Sequence, residues 1–152
     1  MRMSLGALLL LAAASTSPLL AQQEEQEVRA VLQQLFDGLR VKDTAKMRAT
    51  LHPQARLVTP GMREGTATVQ IAAIDGWLAG IAGARGGPLD ERLKNTVIRI
   101  DGGLAAVWTE YNFFVGERLN HCGVDAMHLV RTAEGWRIID LADTRRREGC
   151  TP

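Results

Sequence analysis

The strand-like run His121 to Thr132 carries two side chains whose types could do chemistry. His121 and Asp125 lie four residues apart, and in a strand that spacing puts both on one face. At roughly 3.3 Å per residue they stand about 13 Å apart along the chain, too far for a direct hydrogen bond, but they can line one pocket at different depths. Asp125 lies between Val124 and Ala126 in an otherwise apolar stretch. A carboxyl buried there must be paired or hold its proton unusually tightly, which is the condition of a general base. The alternatives are a solvated face or a neighbouring arginine. His128 is three residues from Asp125, hence on the opposite face, and His52 before Pro53 reads as the end of a helix.

A second group is aromatic. The chain has three Trp, one Tyr and three Phe, yet Trp108, Tyr111, Phe113 and Phe114 fall within one short run. Parity puts Trp108, Glu110, Asn112 and Phe114 on one face and Val107, Thr109, Tyr111, Phe113 and Val115 on the other. Glu110 and Asn112 interrupt the first face, so the odd-numbered one is expected to be drier. Both faces carry aromatic surface, which suggests a covered outer face and a homodimer. Tyr111, with its hydroxyl, is one candidate polariser and His121 the alternative. Trp77, Trp108, Tyr111, Phe113 and Arg145 are the candidate ligand contacts, Arg145 opening the basic run to Arg147. Gly83, Gly86 and Gly87 beside Arg85 read as a pocket lip. No phosphate loop, nucleophile elbow or zinc spacing occurs, so neither a cofactor nor a metal is expected.

These residues need elements to hold them. Val28, Val31, Leu32, Leu35, Phe36 and Leu39 form a helical stripe over Val28 to Leu39, with Glu24, Glu25 and Glu27 at its start suiting the helix dipole. A short helix follows, capped by Asp43 and ended by Pro53, and Ala55 to Pro60 reads as a strand. A third helix is predicted from about Thr66 to Gly83 on the stripe Ile71, Ile74, Leu78, Ile81. The remainder reads as four strands, Leu93–Ile100, Leu104–Val115, His121–Thr132 and Trp136–Thr144, separated by glycine-bearing turns. Three helices before an antiparallel meander make an α+β domain, with the helices packed on one face of a strongly twisted sheet.

The first 21 residues have the layout of a secretory signal peptide: Arg2, an uncharged run from Leu5 to Ala14, then small residues ending at Ala21. The apolar run is too short to span a bilayer, which needs about 20 residues. Residues 22–152 are then one exported domain, secreted or periplasmic, with no membrane association after cleavage. Arg2 is the only charge in the leader, so the remainder carries equal numbers of basic and acidic residues. That balance argues against a nucleic-acid partner, which would need a basic surplus. In an oxidising compartment Cys122 and Cys150 can form a disulfide.

The order of elements, together with several local runs, resembles the nuclear-transport-factor-2-like (NTF2-like) superfamily of cone-shaped pocket proteins. Within it the chain resembles the secreted bacterial SnoaL-like and lumazine-binding-like groups. The residues that carry the resemblance are His52-Pro53-Gln54-Ala55-Arg56-Leu57, Trp108-Thr109-Glu110-Tyr111-Asn112-Phe113, His121-Cys122-Gly123-Val124-Asp125-Ala126, Gly135-Trp136-Arg137-Ile138 and Ala142-Asp143-Thr144-Arg145-Arg146-Arg147. The resemblance spans about Val28 to Cys150. It implies a mostly antiparallel, strongly curved sheet and three helices enclosing a pocket. It also implies pocket-facing Asp, His, Tyr or Arg residues as the agents of any acid–base chemistry. The steroid-isomerase arrangement of that superfamily is not matched, since the chain has a single Tyr. The fold hosts unrelated activities, so three readings stay open. The first is an exported binder of a small, largely apolar molecule. The second is a cofactor-free acid–base enzyme using Asp125 with Tyr111 or His121. The third is a dimeric interaction module.

Overall fold

The structure, a computed structural model, describes residues 18–151. The expected leader lies outside them, except for its last four residues. Those four open α1 (Pro18–Val41), which therefore starts well before Val28. Glu24, Glu25 and Glu27 consequently sit inside the helix rather than in its first turn, and they serve as ion-pair partners instead. Glu24 and Glu27 receive Arg131 at 2.9 and 3.2 Å, and Glu25 receives Arg29 at 2.7 Å. The stripe Val28, Leu32, Leu35, Leu39 is buried as its spacing demands. Asp43 caps α2 (Thr44–Arg48), accepting from the Lys46 backbone N–H at 2.9 Å.

The region after α2 departs from the sequence reading. Pro53 does not end a helix; it lies within β1 (Leu51–Arg63), beside an irregularity in that strand's pairing. His52 is likewise a strand residue, its Nδ1 accepting from the Gln54 N–H at 3.1 Å. Thr66 to Ala73 is not helix but β2, and α3 is confined to Ile74–Gly83. The physical reason is local. Thr66, Thr68, Val69 and Ile71 are β-branched, and Glu64-Gly65, both at positive φ (51° and 79°), turn β1 back into a hairpin. Ile71, assigned to the helical stripe by its spacing to Ile74, is 68% exposed, whereas Ile74, Leu78 and Ile81 form the buried face of α3.

β3 (Leu89–Asp101), β4 (Leu104–Val115), β5 (Arg118–Thr132) and β6 (Gly135–Asp143) form the expected antiparallel meander. β1 joins it in parallel alongside β6, giving a six-stranded mixed sheet in the order β2-β1-β6-β5-β4-β3. The helices pack on one face of this curved sheet. There the α1 stripe meets Val107, Met127, Leu129 and Ile138 in the core. The odd-numbered residues of β4 face these helices, as parity implies: Val107, Thr109 and Tyr111 are buried, and Trp108 is 58% exposed.

After β6 the chain continues along β5. Arg146 exchanges both backbone hydrogen bonds with Cys122, and Thr144 donates its N–H to Val124. This return brings Cys150 to Cys122, and the two are disulfide-bonded with Cα atoms 5.7 Å apart. The tail then crosses the outer face, where the Thr151 carbonyl accepts from Asn112 at 2.7 Å and from Lys94 at 2.8 Å. The bridge closes a loop with a sequence separation of 28. Cys150→Ser is therefore expected to cost about 3 kcal/mol in a denaturant titration. A stability equal to wild type would show that the tail docks without the bond.

Candidate functional site

Between the helices and the concave face lies a cavity of about 270 Å³. Its residues fall into a charged floor and an apolar wall. The floor comes from consecutive strands. Glu91 on β3 pairs across to Phe113 on β4, which pairs to His121 on β5; four residues farther along β5, Asp125 pairs to Asp143 on β6. Arg145, two residues beyond Asp143, keeps the same side of the chain and completes the floor. Phe36 and Leu39 of α1, Trp77 and Ile81 of α3, and Leu57 of β1 form the wall.

Asp125 is 2% exposed, and its Oδ2 is buried without a hydrogen-bond partner. The expected alternative, an aspartate locked to an arginine, does not occur. Arg145 bonds Asp143 instead, its Nε donating to Oδ2 at 2.5 Å, while the Thr59 hydroxyl donates to the other Asp143 oxygen at 2.5 Å. Asp125 has a carboxyl neighbour, Glu91, within hydrogen-bonding reach. Glu91 as a residue is half-buried, but its carboxyl is withdrawn from water. Burial, and next the Asp125 charge, hold the Glu91 proton well above the usual carboxylate range. Burial likewise pushes Asp125 up to about 7, against the hydrogen bond from Glu91, which favours its ionised form. The consistent arrangement is a protonated Glu91 donating to the Asp125 carboxyl, so acid and base stand side by side.

His121 packs on Phe113 with ring centroids 4.7 Å apart and meets Tyr111 edge-on at 5.6 Å. Its Nδ1 shares a hydrogen bond with the Asn120 side chain at 2.9 Å. Burial, and then the Arg145 guanidinium, pull its pKa below the ordinary histidine value, so it stands neutral at pH 7. Nδ1 is thus occupied, and Nε2 is the atom left for a ligand.

The sequence-predicted residues divide cleanly. His121, Asp125, Phe113, Trp77 and Arg145 line one cavity. Tyr111 does not: its hydroxyl donates to the Thr144 carbonyl at 2.8 Å, and burial raises its pKa further. It braces the returning tail rather than facing a ligand. Trp108 is also outside the cavity, standing exposed on the opposite face of the sheet because its parity is even. Lys42 bonds the Ala84 and Gly86 carbonyls at 2.9 and 3.3 Å, tying down the loop between Ile81 and Leu89, both cavity residues.

Glu91 is the residue that sequence reasoning missed. Its run, Leu89-Asp90-Glu91-Arg92-Leu93, has the charges of a solvated segment, and the strand was expected to start only at Leu93. The signal was period two: Leu89 and Leu93 both turn inward, which obliges Glu91 to do the same. Glu91 and Phe36 also border a groove of about 390 Å³ between α1 and β3, so they partition the two spaces.

A family model described as "Putative lumazine-binding" matches residues 23–141. No curated protein matches the chain. Solved structures share the fold at low identity. An NTF2-like protein of unknown function from Shewanella baltica is 18% identical with a TM-score of 0.69, over 88% of this chain and 100% of that one. An NTF-2 like protein of unknown function from Silicibacter pomeroyi is 14% identical with a TM-score of 0.68, over 83% and 98%. A putative dehydratase of the NTF2-like family from Streptomyces avermitilis is 15% identical with a TM-score of 0.66, over 82% and 97%.

Proposed function

The chain belongs to the NTF2-like superfamily, in the family described as putative lumazine-binding, and on that premise we propose that its cavity binds a small molecule and moves a proton on it without a cofactor. One observation carries this reading: a buried Asp125 oxygen at the cavity wall has no partner, and no arginine engages it. Asp125 is the base. Glu91 is its proton-bearing neighbour, and the neutral His121 presents Nε2 to the substrate. Asp143 and Arg145 satisfy each other and fix the polar end of the floor. A proton taken from carbon or nitrogen passes to Asp125, the charge left on the substrate is met by the Glu91 acid, and His121, whose Nδ1–H donates to Asn120, accepts a substrate N–H or O–H at Nε2. Isomerisation and elimination of water both need only this pair. The cavity volume, at the lower end of ordinary ligand sites, suits a molecule of one or two rings.

Wild type and Asp125→Asn purified from the native host are compared by native mass spectrometry. The expected result is a retained small molecule in both, differing in mass for an elimination or in chromatographic retention and fragmentation for an isomerisation, because a variant without its base keeps unreacted substrate. The identical molecule in both would favour the binder that performs no chemistry. No retained molecule in either would remove the small-molecule reading.

We further take the protein to be exported and dimeric. The disulfide supports export, and among the described residues no helix is long and apolar enough to cross a membrane. The dimer is supported by one transverse row on the outer face. Val97, Trp108, Ala126, Ala142, Val58 and Ile71 are register partners across all six strands, and all are apolar. Trp108, Val97 and Ile71 in that row are exposed. Light scattering at micromolar concentration is expected to give twice the chain mass, and Trp108→Glu the single mass; a monomeric wild type would overturn the assignment.

A further inference from the structure

Five ionisable side chains face the cavity: Glu91 from β3, His121 and Asp125 from β5, Asp143 from β6 and Arg145 from the tail. Tyr111 of β4 lies behind them, its hydroxyl occupied by Thr144. The helices and β1 add no charge to the lining, only side chains such as Phe36, Trp77 and Leu57. Arg145, the one permanent cation, is bonded to Asp143. His121 is held neutral by burial and by that same guanidinium. Among the described residues no ion pair engages Glu91 or Asp125. The unbalanced charge of the cavity is therefore negative whenever the carboxyl pair has lost one proton.

We propose that the cavity takes a small planar organic cation, an amidinium or a protonated amino-heterocycle, with its N–H groups on the free Asp125 oxygen and its ring among Phe36, Trp77 and Phe113. This assignment rests on the reading of the cavity as a ligand site and names the class of ligand. An N–H donor supplies what Asp125 Oδ2 lacks, and a charged donor does so through the stronger, charge-assisted bond. Aromatic faces around the ring add cation–π attraction once water is excluded. A carboxylate or phosphate in the same place would bring a further negative charge against Asp125 and Asp143, with Arg145 already committed.

Proton linkage gives the assignment a second signature. A cation favours the ionised form of Asp125, so binding between pH 6 and 8 releases a proton and tightens as pH rises through about 7. Asp143, Arg145, Tyr111 and the neutral His121 face Asp125 across this range without supplying a free cation.

The test uses three probes on one ring: benzamidine, benzamide and benzoate, titrated calorimetrically into the oxidised, full-length mature protein. Benzamidine is expected to bind at least about tenfold more tightly than benzamide, with no heat from benzoate. Its affinity should rise about tenfold from pH 6 to pH 8, where the probe itself stays cationic. Asp125→Asn should abolish the preference for the cation, and a thermal melt of the variant confirms that it is folded. The pH series on wild type stands without any variant. Benzoate binding as tightly as benzamidine, a pH-independent affinity, or no binding of any probe would each overturn the cationic assignment. Loss of the small-molecule reading itself would show separately, as the absence of a retained molecule in the native mass spectrum.

Discussion

Asp125→Asn is expected to stabilise the protein at pH 8, by about 2–4 kcal/mol, and to leave stability at pH 4 nearly unchanged. Burial raises the Asp125 carboxyl in the folded protein to about 7, from about 3.8 for an ordinary aspartate. Between these values the folded state holds a proton that the unfolded chain has released, so stability falls as pH rises from about 4 to 7. A difference of about three pKa units corresponds to roughly 4 kcal/mol at the upper end. Asparagine keeps the shape and some hydrogen bonding and never ionises, so the penalty is absent. Urea titrations of both proteins at pH 4 and pH 8 measure this directly. A loss of about 3 kcal/mol in the variant at pH 8 would mark Asp125 as a paired structural charge and sink its role as a base. Function should move the other way, with turnover of the native substrate down on the order of 100-fold or more.

Gly123→Ala is expected to cost at least about 3 kcal/mol, more than most core substitutions. Gly123 lies opposite Tyr111 in the β4–β5 register, and the Tyr111 ring crosses it to reach the Thr144 carbonyl. A Cβ at position 123 would stand 1.8 Å from that carbonyl oxygen and 2.8 Å from the Tyr111 hydroxyl. The first clash is with backbone, so β5 and the returning tail must separate. Since Arg145 follows Thr144, the same change should displace the guanidinium from the cavity floor. A thermal melt of the variant within a degree or two of wild type would show that the tail is not held as tightly as this packing requires.

Much of this could be read from local pattern. The α1 stripe, the Asp43 cap and the last four strands follow from periodicity and turn chemistry, which act within a few residues. The inward face of β4 followed from parity, with Trp108 and Glu110 exposed on the outer side; Asn112 and Phe114, on that same side, are buried, Asn112 bonding the tail carbonyl of Thr151, which its polarity did not announce. Asp125 stood out because an acid between Val124 and Ala126 has no surface reason to be there. The failures share a different cause. The spacing of Ile71 to Ile74 and Leu78 extends a helical stripe into Thr66–Ala73, and only the pairing of that segment with β1 makes it a strand. The parallel pairing of β1 with β6 joins segments some eighty residues apart, and no local signal announces it. Trp108 has the aromatic neighbours of a ligand contact, but its own parity faces it away from the cavity. Glu91 was hidden by the charges beside it. Asp90 and Arg92 pair with each other at 2.7 Å outside the cavity, so one inward acid sits within an outward ion pair.

The acid–base reading of the cavity requires Glu91 and Asp125 to form a buried pair that keeps at least one proton at neutral pH. Carbon-13 titration of the carboxyl carbons of the two residues in the wild-type protein tests it most directly. Asp125 is expected to titrate near pH 7 while Glu91 remains protonated beyond it, with each resonance reporting the other's step. Two independent ionisations complete below pH 5 would contradict it, and the acid–base reading of the cavity would fall with them.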